Sequence, residues 1–328
     1  MNRWLVPLLG VLVVVTACVS LLAGTVWLQP AQVLTSLLAD RLDLSSLIVS
    51  EIRMPRVILS VAIGATLGLS GAVLQGLLRN PLADPGLLGV SAGASLGAVI
   101  AIYYGIATSF TLATPLMGLL GALGTAVAAL LLSRSGGTLS LILAGAAINS
   151  IALAGVNLAL NLAPNPYAAY EIMTWLMGSL ADRSWEHVQL AAPFILSGFV
   201  LLALTGRALD ALALGDAQAE SLGVPVARTR LLALIGTACG VGAATAVAGT
   251  VGFVGLLAPH LVRPLVGYEP RRILLPAALV GAILVTLADI ATRVLVFGGA
   301  PMGLGVFISL IGAPFFLWLV LHVRKRTP

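Results

Sequence analysis

The chain contains a single lysine, Lys325, close to its C-terminal end. A phosphate-binding P-loop needs a lysine directly after a glycine-rich turn, and no glycine-rich turn leads into this one. The polypeptide is therefore not an ATPase of that type. Charge of either sign is scarce: 17 Lys and Arg and 12 Asp and Glu make up 9% of 328 residues, against roughly 25% in soluble domains. With 59% hydrophobic residues and no polar block long enough to fold alone, a single membrane domain spanning 1–328 is expected. The two cysteines, Cys18 and Cys239, lie in apolar runs and give no disulfide framework. His187, His260 and His322 are scattered and have no metal-ligand spacing. Paired acids, an H-E-x-x-H and a nucleophile–base arrangement are all lacking, which argues against an intramembrane enzyme. The net charge of +5 comes without basic segments interleaved with aromatics, so no nucleic-acid partner is expected.

What is present is a succession of apolar runs. The first covers 4–27; others lie near 57–77, 87–105, 112–132, 139–160, 189–206, 231–248, 251–266, 273–293 and 305–322. A bilayer crossing takes about 20 residues, so ten crossings are expected. The pair within 231–266 is short of length and rich in Gly, Ala and Thr, which predicts short, tilted or broken helices. Val15-Thr16-Ala17-Cys18 has the look of a cleavage box, but the apolar run continues through Leu22, longer than a usual signal core. The first helix is expected to be retained. Residues 29–52 read as a polar, mildly acidic connection.

Loop charge sets the orientation. With the N-terminus inside, Arg3, Arg79, Arg134, Arg207, Arg228, Arg230, Arg263, Arg271, Arg272, Arg324, Lys325 and Arg326 are cytoplasmic, whereas Arg41, Arg53, Arg56, Arg183 and Arg293 are outside. Twelve against five satisfies the positive-inside rule, and an even crossing number places both termini in the cytoplasm. Residues 64–90 and 236–267 each hold a glycine-spaced crossing, a break at proline and a second glycine-rich segment. The first copy starts outside and the second inside, the pattern of an inverted repeat. The fold expected is all-α, a polytopic membrane protein of about ten helices.

The chain is organised around 53–97, which opens on Arg53-Met54-Pro55-Arg56 and enters an apolar crossing with Gly64, Gly68 and Gly71 on one face. Small residues on a shared face admit a neighbouring helix. Pro55 is expected at the helix start. The crossing breaks at Arg79-Asn80-Pro81-Leu82-Ala83-Asp84-Pro85-Gly86, and such backbone survives beside a membrane only inside protein or lining a cavity. The R-x-P-R opening, the SGAVLQ run and NPLADPGLLGVSAGA together resemble the permease family that imports iron-siderophores, haem and vitamin B12 through ABC transporters. GTVGFVGLLAPHLVRPLVG at 249–267 and the ending GAPFFLWLVLHVRKR extend the resemblance over almost the whole chain.

Several constellations carry the functional reading. The connection 207–230 has the pattern of a short helix, a break at Gly215, a second helix through 217–222 and a stop at Gly223-Val224-Pro225. Taken alone it is equally an ordinary solvated loop. The resemblance implies a coupling segment docked on a separate ATPase, with Leu214, Gly215, Asp216, Ala219, Glu220, Leu222 and Gly223 as its residues. Arg53, Arg56 and Arg293 lie at the outer face, either as interfacial arginines snorkelling to water or, as the resemblance implies, as docking groups for carboxylates of a substrate-binding protein. Asp289, the one clear intramembrane carboxylate, precedes Arg293 by one helical turn and competes for it. A self-neutralised pair is a poor cation site, so coupling to an ATPase is favoured over the competing reading, an ion-coupled secondary carrier. The translocation pathway is placed at the broken loop 80–86, where the resemblance implies Asn80 and Leu82 near the cytoplasmic constriction, and on the fifth crossing at Asn149 and Ser150, with Asn157 near the face of Asn149. Hydrogen bonding between helices is the alternative role for these polar groups. The short helix expected within 165–188 would cap the cavity from outside.

The resemblance thus implies a non-enzymatic permease subunit in a bacterial inner membrane that binds no cofactor itself, ATP being used by its partner. The partners implied are a second copy of the chain, two ATPase subunits, a periplasmic or surface binding protein, membrane lipid and a metal-chelate substrate. A ferric siderophore is the leading chelate, with haem and cobalamin as alternatives.

Overall fold

The computed structural model describes residues 3–24, 26–38, 44–108, 110–133, 137–297 and 300–324. Helix α1 (Leu5–Leu22) is followed by α2 (Pro30–Leu38) and α3 (Leu44–Leu47). The latter runs through a π-helical turn, Ile48–Arg53, into α4 (Met54–Leu77). The stretch expected as a polar connection is thus largely helical, and Pro55 lies within a continuous helix over 44–77. The π turn has a direct cause. Proline's ring clashes with the carbonyl four residues back, and widening the turn avoids this: the Met54 N–H bonds to Val49 O, five residues back. In that register the carbonyl of Ser50 faces Pro55, which has no N–H to give. The indole N–H of Trp185 donates to it instead, at 3.0 Å.

After the break, a 3₁₀ turn at Pro85–Leu88 leads into α5 (Val90–Tyr103). Next come α6 (Ala113–Leu132), α7 (Thr138–Asn161), the short α8 (Pro166–Leu176) and α9 (Trp185–Leu204). Two further short helices, α10 (Gly206–Leu212) and α11 (Asp216–Ser221), precede α12 (Val226–Ala248), α13 (Val254–Val266) and α14 (Pro270–Val294). A two-residue antiparallel pairing of Val296–Phe297 with Ala300–Pro301 then leads to α15 (Leu304–Arg324). Every apolar run of the sequence forms a helix. Among the described residues, seven helices are long and apolar enough to cross a membrane; α5, α13 and α15 are shorter apolar helices.

The repeat explains two of the short ones. In each copy a long helix (α4, α12) ends at a break and a short helix (α5, α13) follows. The copies run in opposite directions, because Arg79 at the end of α4 and Arg230 at the start of α12 meet at one carboxylate. The copies also interlock, α13 packing on α4 and α5 on α12. Glycine lets neighbouring helices approach α4 closely at two places. A Cβ on Gly64 would fall into the carbonyl of Gly281 on α14, and one on Gly71 into that of Gly255 on α13. Without a hydrophobic drive between helices in lipid, such close backbone approach is what holds them. Down α4 and α14 the contacts Arg56–Asp289, Ser60–Thr286 and Gly64–Gly281 keep one antiparallel register.

Candidate functional site

At the end of the bundle that carries α8, four arginines gather on a buried carboxylate and on backbone carbonyls at helix ends. Asp289 is wholly buried, and its carboxylate takes Arg56 Nη2 at 2.8 Å, Arg56 Nε at 2.9 and 3.1 Å, and Arg293 Nη2 at 3.1 Å. The partner expected for Asp289 was Arg293 alone; Arg56 joins it from a helix 233 residues away in sequence. With two guanidiniums on one carboxylate, Asp289 is not available as a cation-coupling site. Arg293 also donates from Nη1 to Ser20 O at 3.0 Å and Ala23 O at 2.9 Å, and from Nη2 to Ser20 Oγ. Arg53 is 8% exposed and donates to Leu21 O, Leu22 O and Val26 O at 2.7–2.8 Å. Arg183 donates from Nε to Val247 O at 2.7 Å, near the end of α12.

These contacts have one physical logic. The last four carbonyls of a helix have no intrahelical partner and carry the negative end of its dipole, which a cation stabilises. Arg53 and Arg293 cap the C-terminus of α1, and Arg183 caps that of α12. Burial pulls the Arg183 guanidinium below its ordinary value, with neighbouring Asp182 acting in the opposite sense. Arg56, Arg183 and Arg293 still reach a cavity of about 950 Å³, walled on its apolar side by Trp175, Met177 and Met302. Arg53 does not line this cavity and holds the end of α1 together with Arg293. The short helix expected over it is α8, whose N-terminus is capped by Asn165 Oδ1 accepting from Ala168 N at 2.9 Å.

The break after α4 is a sequence of tight turns. Asn80 Oδ1 accepts from Leu82 N at 2.9 Å, and Asp84 Oδ1 accepts from Gly86 N at 2.9 Å to cap the 3₁₀ turn. Burial pushes the Asp84 carboxyl above its ordinary value, partly offset by that bond from Gly86. Gln75, 3% exposed, ties the loop to α13: its Nε2 reaches Ala83 O and Gly255 O, while its Oε1 accepts from Arg263 at 2.5 Å. The next turn lies against the fifth crossing, where a Cβ on Gly145 would come 2.6 Å from Leu87 O. The structure therefore brings the broken loop and the Asn149 region of α7 together. Asn149 is half-buried beside Gly89, whereas Ser150 and Asn157 are exposed, with Ser150 Oγ turned back to Ala146 O.

Segment 207–230 folds as a knob at the same end as this loop. Gly215, with φ +117°, separates α10 from α11, and Gly223, with φ +81°, closes α11. Leu209, Leu212 and Ala219 are buried against the bundle, whereas Leu214 and Leu222 are each 65% exposed and Glu220 is exposed beside them. Asp216 faces inward and pairs with Arg79 and Arg230. The double use of Asp216, the capping duties of Arg53 and Arg183, and the Gln75–Arg263 link are not legible in the sequence. Only the recurrence of arginine just beyond helix ends hints at them.

The chain is similar to proteins of known name over most of its length. The haemin transport system permease HmuU of Yersinia pestis is 42% identical over 84% of this chain and 84% of its own. The Fe(3+)-citrate import system permease YfmE of Bacillus subtilis is 35% identical, covering 97% of this chain and 95% of that one. The vitamin B12 import system permease BtuC of Salmonella paratyphi A is 37% identical over 98% and 96%. A solved structure of a metal-chelate type ABC transporter in an inward-facing conformation superposes with a TM-score of 0.86 at 32% identity, covering 97% of this chain and 98% of that one. Residues 12–322 match the model of one family, and with these relatives they establish that the chain belongs to the FecCD transport family.

Proposed function

We propose that the chain is the membrane-spanning permease of an ABC importer that carries a metal chelate into the cell. The observation that carries this reading is agreement over nearly the whole chain with permeases named for haemin, Fe(3+)-citrate and vitamin B12. Because three different chelates are named, the proposal is the class, with ferric siderophores included. In the proposed orientation both termini and the knob face the cytoplasm of a bacterial inner membrane, and α8 with the arginine-lined cavity faces outward. A second copy completes the pathway, in which Asn80, Leu82, Asn149 and Ser150 lie on or near the surface that each chain contributes. ATP is hydrolysed by two separate subunits seated on the knob, where exposed Leu214 and Leu222 offer apolar anchors around Glu220. A soluble binding protein docks over the outer cavity, where Arg56 and Arg293 are 15% and 10% exposed, with Arg53 holding the end of α1 together with Arg293.

The test is reconstitution. The chain, co-expressed with a candidate ATPase and purified by its own tag, should bring that ATPase with it. In liposomes the complex should take up labelled ferric citrate, haemin or cyanocobalamin only with ATP and binding protein. Uptake driven by an ion gradient without any ATPase would overturn the reading in favour of a secondary carrier.

A further inference from the structure

The knob and the loop that breaks the first repeat are far apart in sequence, yet one carboxylate joins them. Asp216, the first residue of α11, accepts from Arg79 Nη2 at 3.1 Å through Oδ1 and from Arg230 Nη2 at 2.5 Å through Oδ2. Arg79 stands where α4 gives way to the loop, with φ of +49°, a left-handed conformation uncommon outside glycine. From Arg79 onward the loop is fixed turn by turn. The Asn80 N–H reaches Gln75 O at 3.2 Å, the Leu82 N–H reaches Asn80 Oδ1, and the Ala83 N–H reaches Asn80 O at 3.1 Å. A pull on Arg79 is therefore passed to Asn80 and Leu82 rather than absorbed by slack backbone.

The two halves of the knob are held differently. The α10 half is packed, with Leu209 and Leu212 buried and Leu209 lying against Gly76 of α4. The α11 half follows the left-handed Gly215 and is held by Ala219 and by the two ion pairs of Asp216. A force on exposed Leu222 thus acts on a segment whose polar attachment leads straight to the loop, and exposed Leu214 stands at the Gly215 break beside it. The geometry points to Arg79 as a positioning residue that transmits movement of the knob to the loop at Asn80 and Leu82. Asp216 is the shared joint, and Arg230 ties the same joint to α12. This inference rests on the reading of 207–230 as the ATPase landing surface. The Arg79 and Asp216 side chains are 43% and 32% exposed, so their pairing adds little to stability. Breaking it changes what moves together and leaves the fold intact.

The experiment uses the whole complex in liposomes with its binding protein, in a background carrying Cys18→Ala and Cys239→Ala. Uptake of whichever of labelled ferric citrate, haemin or cyanocobalamin the unmodified complex carries is divided by ATP hydrolysed. Arg79→Gln should keep ATPase attachment and its stimulation by loaded binding protein, while uptake per ATP falls about fivefold, the factor matching an exposed pair at the upper end of its range. Arg79→Lys should restore part of the ratio. A second readout needs no substrate: Leu82→Cys should change its rate of labelling by a hydrophilic maleimide on ATP addition, and lose that response when combined with Arg79→Gln. An unchanged uptake-to-ATP ratio in Arg79→Gln, or a retained ATP response at Leu82→Cys, overturns the proposal. The landing surface is tested apart from this: if Leu214→Asp with Leu222→Asp still recovers the ATPase in full, the surface lies elsewhere and the inference falls with it.

Discussion

Removing the carboxylate of Asp289 should loosen the end of the bundle that carries α8 by an amount that its burial sets. The residue is 0% exposed and faces two guanidiniums that are themselves 15% and 10% exposed. Deleting one member of a buried ion pair typically costs about 3–5 kcal/mol, because the partner is left charged and uncompensated. Here both arginines keep some access to water, and Arg293 retains Ser20 and Ala23, so the low end, about 3 kcal/mol, is expected for Asp289→Ala. At roughly 2 °C per kcal/mol for a chain of this size, that is a fall of about 6 °C in Tm. The assay is thermal unfolding in lipid nanodiscs followed by tryptophan fluorescence, at one fixed scan rate because such unfolding is commonly irreversible. Asp289→Asn should fall between Ala and the unmodified chain, since an amide accepts from one arginine but turns its NH₂ toward the other. Arg56→Met should be milder than Asp289→Ala, because Arg293 still neutralises the carboxylate. A shift below about 2 °C for Asp289→Ala, or a larger loss for Arg56→Met, would refute the view that this carboxylate holds α1, α4 and α14 together.

Three further outcomes are expected. Single cysteines at Ser221 and Asp182, both exposed positions, should label from opposite faces of sealed vesicles; labelling from one face would break the proposed topology. Gly71→Leu should lower Tm strongly and Gly10→Leu should not, because a Cβ at Gly71 enters the Gly255 carbonyl while Gly10 has nothing within 4 Å; overpacking costs about 1–3 kcal/mol or more. Asp84→Asn should be at least as stable as the unmodified chain at neutral pH. Burial raises the folded-state carboxyl above its ordinary 3.8, so its ionisation opposes folding and stability is lost as pH rises from that value through the folded one. Asn keeps the bond from Gly86 without the charge, and thermal scans across pH should show the Asp84-dependent slope flattened in the variant.

Much of the fold was legible because membrane burial leaves a coarse signal. Apolar runs mark helices, and the glycines of 64–71 mark where helices touch. The break at Asn80 and the Gly215 break in the knob follow from residues that cannot continue a helix. Two features were not legible, for the same reason. Segment 29–52 reads as polar connection because its serines and charges dilute the apolar signal, yet Leu44 and Ile48 onward continue α4 through a π turn. Pro55 signals that the turn before it is disturbed, but the group satisfying Ser50 O, an indole 135 residues away, is not legible locally. The charge network was likewise hidden. Spacing within one helix exposes Arg293–Asp289, but Arg56–Asp289 and Arg79–Asp216 span 233 and 137 residues and depend on how the inverted copies face each other.

In the docking proposed above, that hidden network changes how Arg53, Arg56 and Arg293 would act on a partner. Arg53, Arg56 and Arg293 were candidates for docking because they carry charge near the outer ends of helices, and helix ends are also where orphan carbonyls gather. Arg53 and Arg293 hold those carbonyls at the end of α1, and Arg56 and Arg293 share Asp289, so no guanidinium of the three is idle. A docking carboxylate therefore meets a field from charges already held in place. Fixed charges of this kind lose little side-chain freedom when a partner arrives, which favours recognition by pre-organisation. They also act mainly on association rate and salt sensitivity. Replacing Arg53 with glutamate would set a carboxylate against three backbone carbonyls, two of them at the end of α1, and damage the fold before it reported on docking. Neutral replacement of Arg56, which bonds to Asp289 and lines the cavity, separates the two roles more cleanly. It removes one rim charge while Arg293 keeps both the carboxylate and the end of α1 in place.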